Sequence, residues 1–299
     1  MATSISWDLY RSFLAVLEAG SLSGAARVLE TAQPTVGRHV AALEQSLGLP
    51  LFTRSQLGLA PTEAAQALRA FVQEMSGTAA ALERTAASQG SGVRGVVRVT
   101  ASELVGIEVL PPIVARLRES HPDLRLEQAL SNRVQDLLHR EADIAVRMAP
   151  PQQGALVAQR IGRVELGLYA HERYVAQRGT PRKVEQLAGH ALIGFDSEPP
   201  YVRSALASLP AGLRTLNRES FALRSDSDLA QLALLRCGAG IGVCQVPLAN
   251  LDPALLRVLP TRFSMHLDAW VTMHEDLRHS PRCRVAFDAL AAGLRDYLG

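Results

Sequence analysis

The chain has 299 residues, of which 47% are hydrophobic and 20% charged, with a formal net charge of +2. That length supports two or three domains, each with its own core, and the balance of residues excludes a disordered chain. No apolar run approaches the ~20 residues a bilayer helix needs, and Asp8 and Arg11 interrupt the start before a signal-peptide core can form; a cytoplasmic protein with no membrane partner is expected.

The first sixty residues read as short helices. Tyr10, Phe13, Leu14 and Leu17 mark one amphipathic helix, stopped by Gly20. Ser21 or Ser23 is placed to cap a second, with Leu22, Ala25, Ala26 and Leu29 inward. A third follows in "TAQPTVGRHVAALEQSLG", 31–48, where Val36, Val40, Leu43 and Leu47 share a face and Pro34 fits only in the first turn. Its other face, Thr35, Arg38, His39 and Ala42, is short and polar. Two tightly joined helices, the second with a small polar outer face, form a helix-turn-helix suited to the major groove. Arg38 has the fork to read guanine, and Thr35 suits a thymine methyl or a phosphate. A small helical bundle with a polar surface is the alternative.

Beyond Thr62, Leu68, Val72, Met75, Ala79, Leu82 and Ala86 are spaced as an a/d seam, which points to a pairing helix. One helix lying on its own domain is the competing reading. "QGSGVRG" then breaks the chain. Strand-like "VVRVT" (96–100), "LRLEQAL" (124–130) and "DIAVRM" (143–148) follow, with helices from Ser102 and around Val134 to His139 between them. The alternation resumes in "RVELGLYA", "HALIGF" and "SFALRSD", a helix at Asp228–Cys237, and the strands "IGVCQV" and "HLDAWVTMH". A last helix opens at Ser280 and Pro281, with Phe287, Leu290, Ala291, Leu294 and Leu298 inward. This grammar implies α/β units with a parallel sheet and helices on its faces.

No enzyme constellation is present in the sequence. "GSGVRG" precedes a strand instead of following one, which is wrong for a dinucleotide fingerprint. "GAGIG" (238–242) reads as a helix C-cap. Cys237, Cys244 and Cys283 are odd in number and unclustered, which argues for small buried hydrophobes over a disulfide framework, a zinc site or a thiol sensor. The histidines, His266, His274 and His279 among them, lack ligand spacing. No catalytic residue, metal or cofactor is expected.

The motifs "F-x4-EAGS-x-S-x-AA-x2-L", "QPTV", "LE-x3-G-x2-LF-x-R" and the Pro-Thr-Glu-Ala at 61–64 closely resemble the DNA-binding domain of LysR-type transcriptional regulators. The resemblance continues in "LPPIVARLRESHPDLRLE", "ADIAVR" and "GAGIGV", covering essentially the whole chain. It implies an N-terminal all-α winged helix-turn-helix at 5–62, with the motif itself at 23–42 and the wing between Leu51 and Pro61. It also implies a linker and dimerisation helix at 63–89. The effector domain at 92–299 would have two Rossmann-like α/β lobes of the periplasmic-binding-protein type II kind: lobe I at 92–161 and 268–299, lobe II at 162–267. The implied operator contacts are Ser23, Arg27, Gln33, Pro34, Thr35, Arg38 and His39, with Arg54 on the backbone. Ala32, Gly37, His39 and Ala65 depart from the family's usual residues, which bears on the bases read.

Residues 1–62 hold four arginines, no lysine and four acids. A domain of zero net charge binds DNA weakly alone, so a homodimer or homotetramer is required to supply effective concentration. Two lobes with sheets create a cleft at the strands' carboxyl ends for a small-molecule effector. Ser102, Ser131, Asn132 and Arg147 from one lobe, and Phe195, Asp196, Ser225 and Asp226 from the other, fall at such ends; for each serine, a plain N-cap is the alternative. The lobes should hinge near Ile161–Val164 and Met265–Asp268. The expected function is a ligand-responsive transcriptional regulator bound to double-stranded DNA. A solute-binding protein and a cytosolic enzyme are the competitors: the first is opposed by the extra N-terminal domain, the second by the missing catalytic set.

Overall fold

A computed structural model describes residues 5–55, 58–86, 93–132, 142–151, 156–197 and 216–299. They fall into two compact units, one N-terminal and one from residue 93 onward.

The N-terminal unit packs α1 (Trp7–Ala19), α2 (Leu22–Val28) and α3 (Gln33–Leu47) around Phe13, Val16, Val36, Val40 and Leu43. Each such side chain contributes about 1.5–3 kcal/mol on burial, so the apolar stripe of α3 fixes its roll and leaves its polar row outward. Ser21 caps α2, its hydroxyl accepting the Gly24 N–H at 3.1 Å. A hairpin of β1 (Phe52–Ser55) and β2 (Gly58–Pro61) follows, paired antiparallel. Its entry is held by Glu44, whose Oε1 accepts the N–H groups of Leu51 at 2.7 Å and Phe52 at 3.1 Å.

The long helix α4 (Glu63–Ala86) starts at a Thr62 cap. The expected continuous seam divides along it. Val72 is buried and Leu68 half-buried in the core of its own unit, because both face α1. Phe71, Met75 and Leu82, one step around the helix, are 67%, 42% and 68% exposed.

In the second unit, β3 (Gly95–Ala101) pairs parallel with β4 (Leu124–Leu130) and β5 (Ile144–Arg147). The all-parallel expectation fails at β6 (Leu156–His171) and β11 (Met265–His274), which run antiparallel to each other along their length. They are the two crossings between lobes, one outward and one back, so opposite directions are forced. A bulge between Ala269 and Trp270 interrupts their register, just past the Met265–Asp268 segment expected to hinge. Beyond it, β9 (Ile241–Gln245) and the unforeseen β10 (Leu255–Val258) flank β6 in lobe II. A small parallel pair, β7 (Ile193–Gly194) and β8 (Leu223–Arg224), completes the strands among the described residues.

The helix after β3 begins as a π-turn, Val105–Val109, and continues as α5 (Leu110–Ser120). Pro111 and Pro112 lack the N–H groups that would reach Ile107 and Glu108, so the regular register is lost at this point. A Cβ on Gly106 would lie 2.1 Å from Leu130 Cδ2, so any larger residue there would have to displace the Leu130 side chain at the end of β4. Lobe II adds α6 (Glu172–Arg178), α7 (Asp228–Arg236) and the short α8 (Val246–Ala249). Gly238, with φ of 73°, ends α7 as expected of the "GAGIG" segment. The last helix, α9 (Pro281–Leu298), buries Phe287, Leu290, Ala291 and Leu294 against lobe I. The helix expected around Val134 to His139 lies outside the described residues. Cys244 and Cys283 are buried as expected, but Cys237 is exposed, since it follows α7 at the surface.

Candidate DNA-reading face and effector cleft

On α3, Gln33, Pro34 and Arg38 are exposed and Thr35 is half-buried. Arg38 Nη2 donates to Thr35 Oγ1 at 3.3 Å, so the two side chains form one polar spot. Ser23 and Arg27 are exposed on α2, and Arg27 Nε lies 3.5 Å from the Ser23 carbonyl. Ala32 sits at the α3 cap without a side-chain bond, which leaves the positive end of the helix open to a phosphate. His39 departs from expectation. Its Nδ1 hydrogen-bonds the buried Ser12 hydroxyl at 2.8 Å, tying α3 to α1 instead of standing in the outer row. Arg54 lies in β1 opposite Leu59; its side chain is outside the described residues. Glu44 is the contributor missed in the sequence. Two backbone N–H groups occupy its carboxylate, so this acid is a strut for the hairpin.

In lobe I the expected residues do meet, at neighbouring ends of β4, β3 and β5. The Ser131 N–H donates to the Ala101 carbonyl at 2.9 Å, and Asn132 Oδ1 accepts the Glu103 N–H at 3.1 Å. Arg147 donates from Nη2 to the buried Thr100 hydroxyl at 2.9 Å and from Nη1 to the Val146 carbonyl at 3.1 Å, so β5 and β3 hold the guanidinium in place. Ser102 follows β3, and its carbonyl accepts the Gly106 N–H at 2.8 Å.

In lobe II the expected residues also gather, but for a structural purpose. Arg218 reaches Asp196 at 2.7 Å. Asp226 accepts the N–H groups of Ser197 at 2.8 Å and Asp196 at 3.0 Å, and these bonds hold its carboxyl below the usual range. The Ser225 hydroxyl accepts the Ser227 N–H, and Ser227 is the cap of α7. Asp196, Ser225 and Asp226 are therefore occupied in shaping their own loop. Phe195 sits between them, half-buried.

The titratable group not picked out in the sequence is Asp228, the first residue of α7. Burial pushes its carboxyl up to about 6, helped by repulsion from Glu103 of lobe I. Two carboxylates from opposite lobes thus approach each other. No group of metal-ligating side chains occurs among the described residues.

Residues 90–295 match the model of the LysR substrate binding domain, and residues 7–66 that of the bacterial regulatory helix-turn-helix protein, lysR family. The chain belongs to the LysR family of transcriptional regulators. It is 30% identical over 226 residues to the HTH-type transcriptional regulator CrgA of Neisseria meningitidis, covering 76% of this chain and 75% of that one. Its fold is similar to that of full-length AphB, a Vibrio cholerae virulence activator, with a TM-score of 0.62 at 22% identity over 96% of this chain and 99% of that one. It is also similar to full-length CbnR in complex with its target DNA, with a TM-score of 0.65 at 20% identity over 98% of this chain and 99% of that one. As a LysR-type protein the chain is a DNA-binding regulator and not an enzyme. It pairs a helix-turn-helix with a two-lobe effector domain, and no described helix is long and apolar enough to cross a membrane.

Proposed function

We propose that this LysR-type regulator reads its operator with α2 and α3, principally through Arg38 and Thr35, with Ser23, Arg27, Gln33 and Pro34 around them and Arg54 of the hairpin on the phosphates. The observation that carries this is the small, polar row of α3, kept outward by the burial of Val36, Val40 and Leu43. His39 is assigned to holding α3 against α1. The chain acts as a homodimer or homotetramer in the cytoplasm, its copies joined through the exposed apolar face Phe71, Met75 and Leu82 of α4. A near-neutral reading head gains affinity this way, because the second head binds at high effective concentration.

The effector is a small molecule held between the lobes. Ser102, Ser131, Asn132 and Arg147 face it from lobe I and Asp228 from lobe II, while Asp196, Ser225 and Asp226 shape the loop beneath. The mixture of Arg147 with Glu103 and Asp228 suits a ligand that offers both an acceptor and a donor, and disfavours a dianion. A gel shift with the DNA upstream of its own gene tests the regulator, with a discrete, competitor-resistant complex expected. Binding that is equal on random DNA removes the assignment. Mapping bound sites across the genome then narrows the effector through the neighbouring pathway genes.

A further inference from the structure

Among the described residues, two ties join the lobes besides the crossing strands β6 and β11. Tyr297 of α9 packs against the cores of both lobes, and its hydroxyl donates to Gln245 Oε1 of β9 at 2.8 Å. On the other tie, Leu104 of lobe I packs against the lobe II core that holds Leu232 and Leu235. One turn later Glu108 meets Arg236, the last residue of α7. Arg236 Nη1 donates to Glu108 Oε1 and Nη2 to Oε2, both at 2.8 Å. Two parallel bonds fix both the direction and the distance of the pair, which a single ionic contact does not. Arg236 is presented from its own lobe by Asp252, whose Oδ2 lies 3.9 Å from Nε. Glu108 is held by the π-turn, a departure from helical register that is rare and concentrates at functional places. The Arg236 guanidinium keeps the Glu108 carboxyl below its usual range, so the pair stays charged through the neutral region.

We infer that the Glu108–Arg236 pair is an inter-lobe latch that sets the opening of the effector cleft before any ligand arrives. The π-turn and α7 begin beside the cleft, near Ser102 and Asp228 respectively, and end at the latch. Lobe separation therefore has to break the fork and withdraw Leu104, while the bulged strands bend. The cleft is preset instead of gaping, and an effector gains affinity by not having to close it. This last consequence rests on the effector reading of the cleft; the latch itself is read without any effector.

The experiment uses the full chain with Cys237→Ser, spin labels at Arg116→Cys on lobe I and Glu185→Cys on lobe II, and labelled chains diluted among unlabelled ones so that only distances within a chain are seen. With the latch intact, one narrow distance distribution is expected, broadening in about 1 M salt, where charges are screened beyond ~3 Å. Glu108→Ala and Arg236→Ala should each lengthen and broaden it. The exchange Glu108→Arg with Arg236→Glu, made together with Asp252→Asn so that no like charge faces the new glutamate, should restore the narrow form, which a merely structural role for either residue would not do. Should Glu108→Ala fail to fold, Glu108→Gln serves, with partial broadening expected from the lost charge. An unchanged distribution in the single variants, or no rescue in the exchange, overturns the latch. Operator binding by the same variants reports separately on the regulator assignment.

Discussion

The reading head and the effector cleft are built in opposite ways. In the head, one helix supplies both the core and the site: Val36, Val40 and Leu43 go inward and Thr35 and Arg38 outward, all within fifteen residues. In the proposed cleft no single element would carry the site. Lobe I would contribute the ends of three strands and lobe II the start of α7, and residues as distant in sequence as Glu103 and Asp228 already act on each other's charge. A helix concentrates function and makes it vulnerable to single changes. Strand ends spread it, so the cleft should weaken by steps.

The largest effect expected is on the proposed pairing face, since both heads would depend on it. Leu82→Asp places a carboxylate on the exposed apolar stripe of α4 and should produce monomers. Operator affinity should fall by about 10²–10⁴-fold with the loss of effective concentration. Sedimentation of the variant decides it, and an undisturbed oligomer removes α4 from the interface. Within the head, Arg38→Ala should lose roughly 1–3 kcal/mol of discrimination between the operator and its point variants. Arg54→Ala should instead weaken all sequences alike and flatten the salt dependence. Competition titrations at two salt concentrations separate the two, and equal behaviour would mean that α3 does not read bases.

The head was legible in the sequence because its information is local. A period of 3.6 residues, a serine cap, Pro34 in the first turn and Gly48 at the end all act within one helix. His39 was misplaced for the same reason: its partner Ser12 is twenty-seven positions away. The seam of α4 was legible as apolar spacing, but which side was already covered by α1 was not. In the effector unit, strand and helix order was largely readable. The antiparallel crossings were not, because direction depends on the path between lobes. Ser102, Ser131 and Arg147 could be placed from their strand ends. Glu108 and Arg236, separated by 128 positions, carry no mark of each other in the sequence.

Asp228 carries a cost that no described residue of the reading head bears. Its folded carboxyl titrates near 6 against 3.8 for the ordinary group. The folded state thus binds more protons between those values, and stability falls as pH rises through this window, with the full cost present above about 6. Asp228→Asn removes the cost. It should stabilise the chain at pH 7 by on the order of 1–2 kcal/mol, discounted for water still reaching the side chain, and the gain should vanish towards pH 4. Urea unfolding of both proteins across that range checks it. A gain independent of pH would show that helix packing is responsible, and that no stability is held back at the cleft.

The smallest effect belongs to one hydroxyl. Ser102 follows the end of β3, next to Glu103, whose N–H is held by Asn132. Ser102→Ala removes one oxygen and little volume, so the loss to a bound effector is one hydrogen bond, about 0.5–1.5 kcal/mol. A dispersed site predicts that this loss appears in effector response while operator binding without effector stays unchanged. It also predicts that Ser102→Ala and Ser131→Ala together lose about the sum of their separate effects, because each contacts the ligand from its own strand. The measurement is operator binding titrated with the metabolite identified through the mapped genes. A response unchanged in the double variant would move the effector away from the ends of β3 and β4. A response abolished by either single change would show that the cleft, like the reading head, concentrates its function after all.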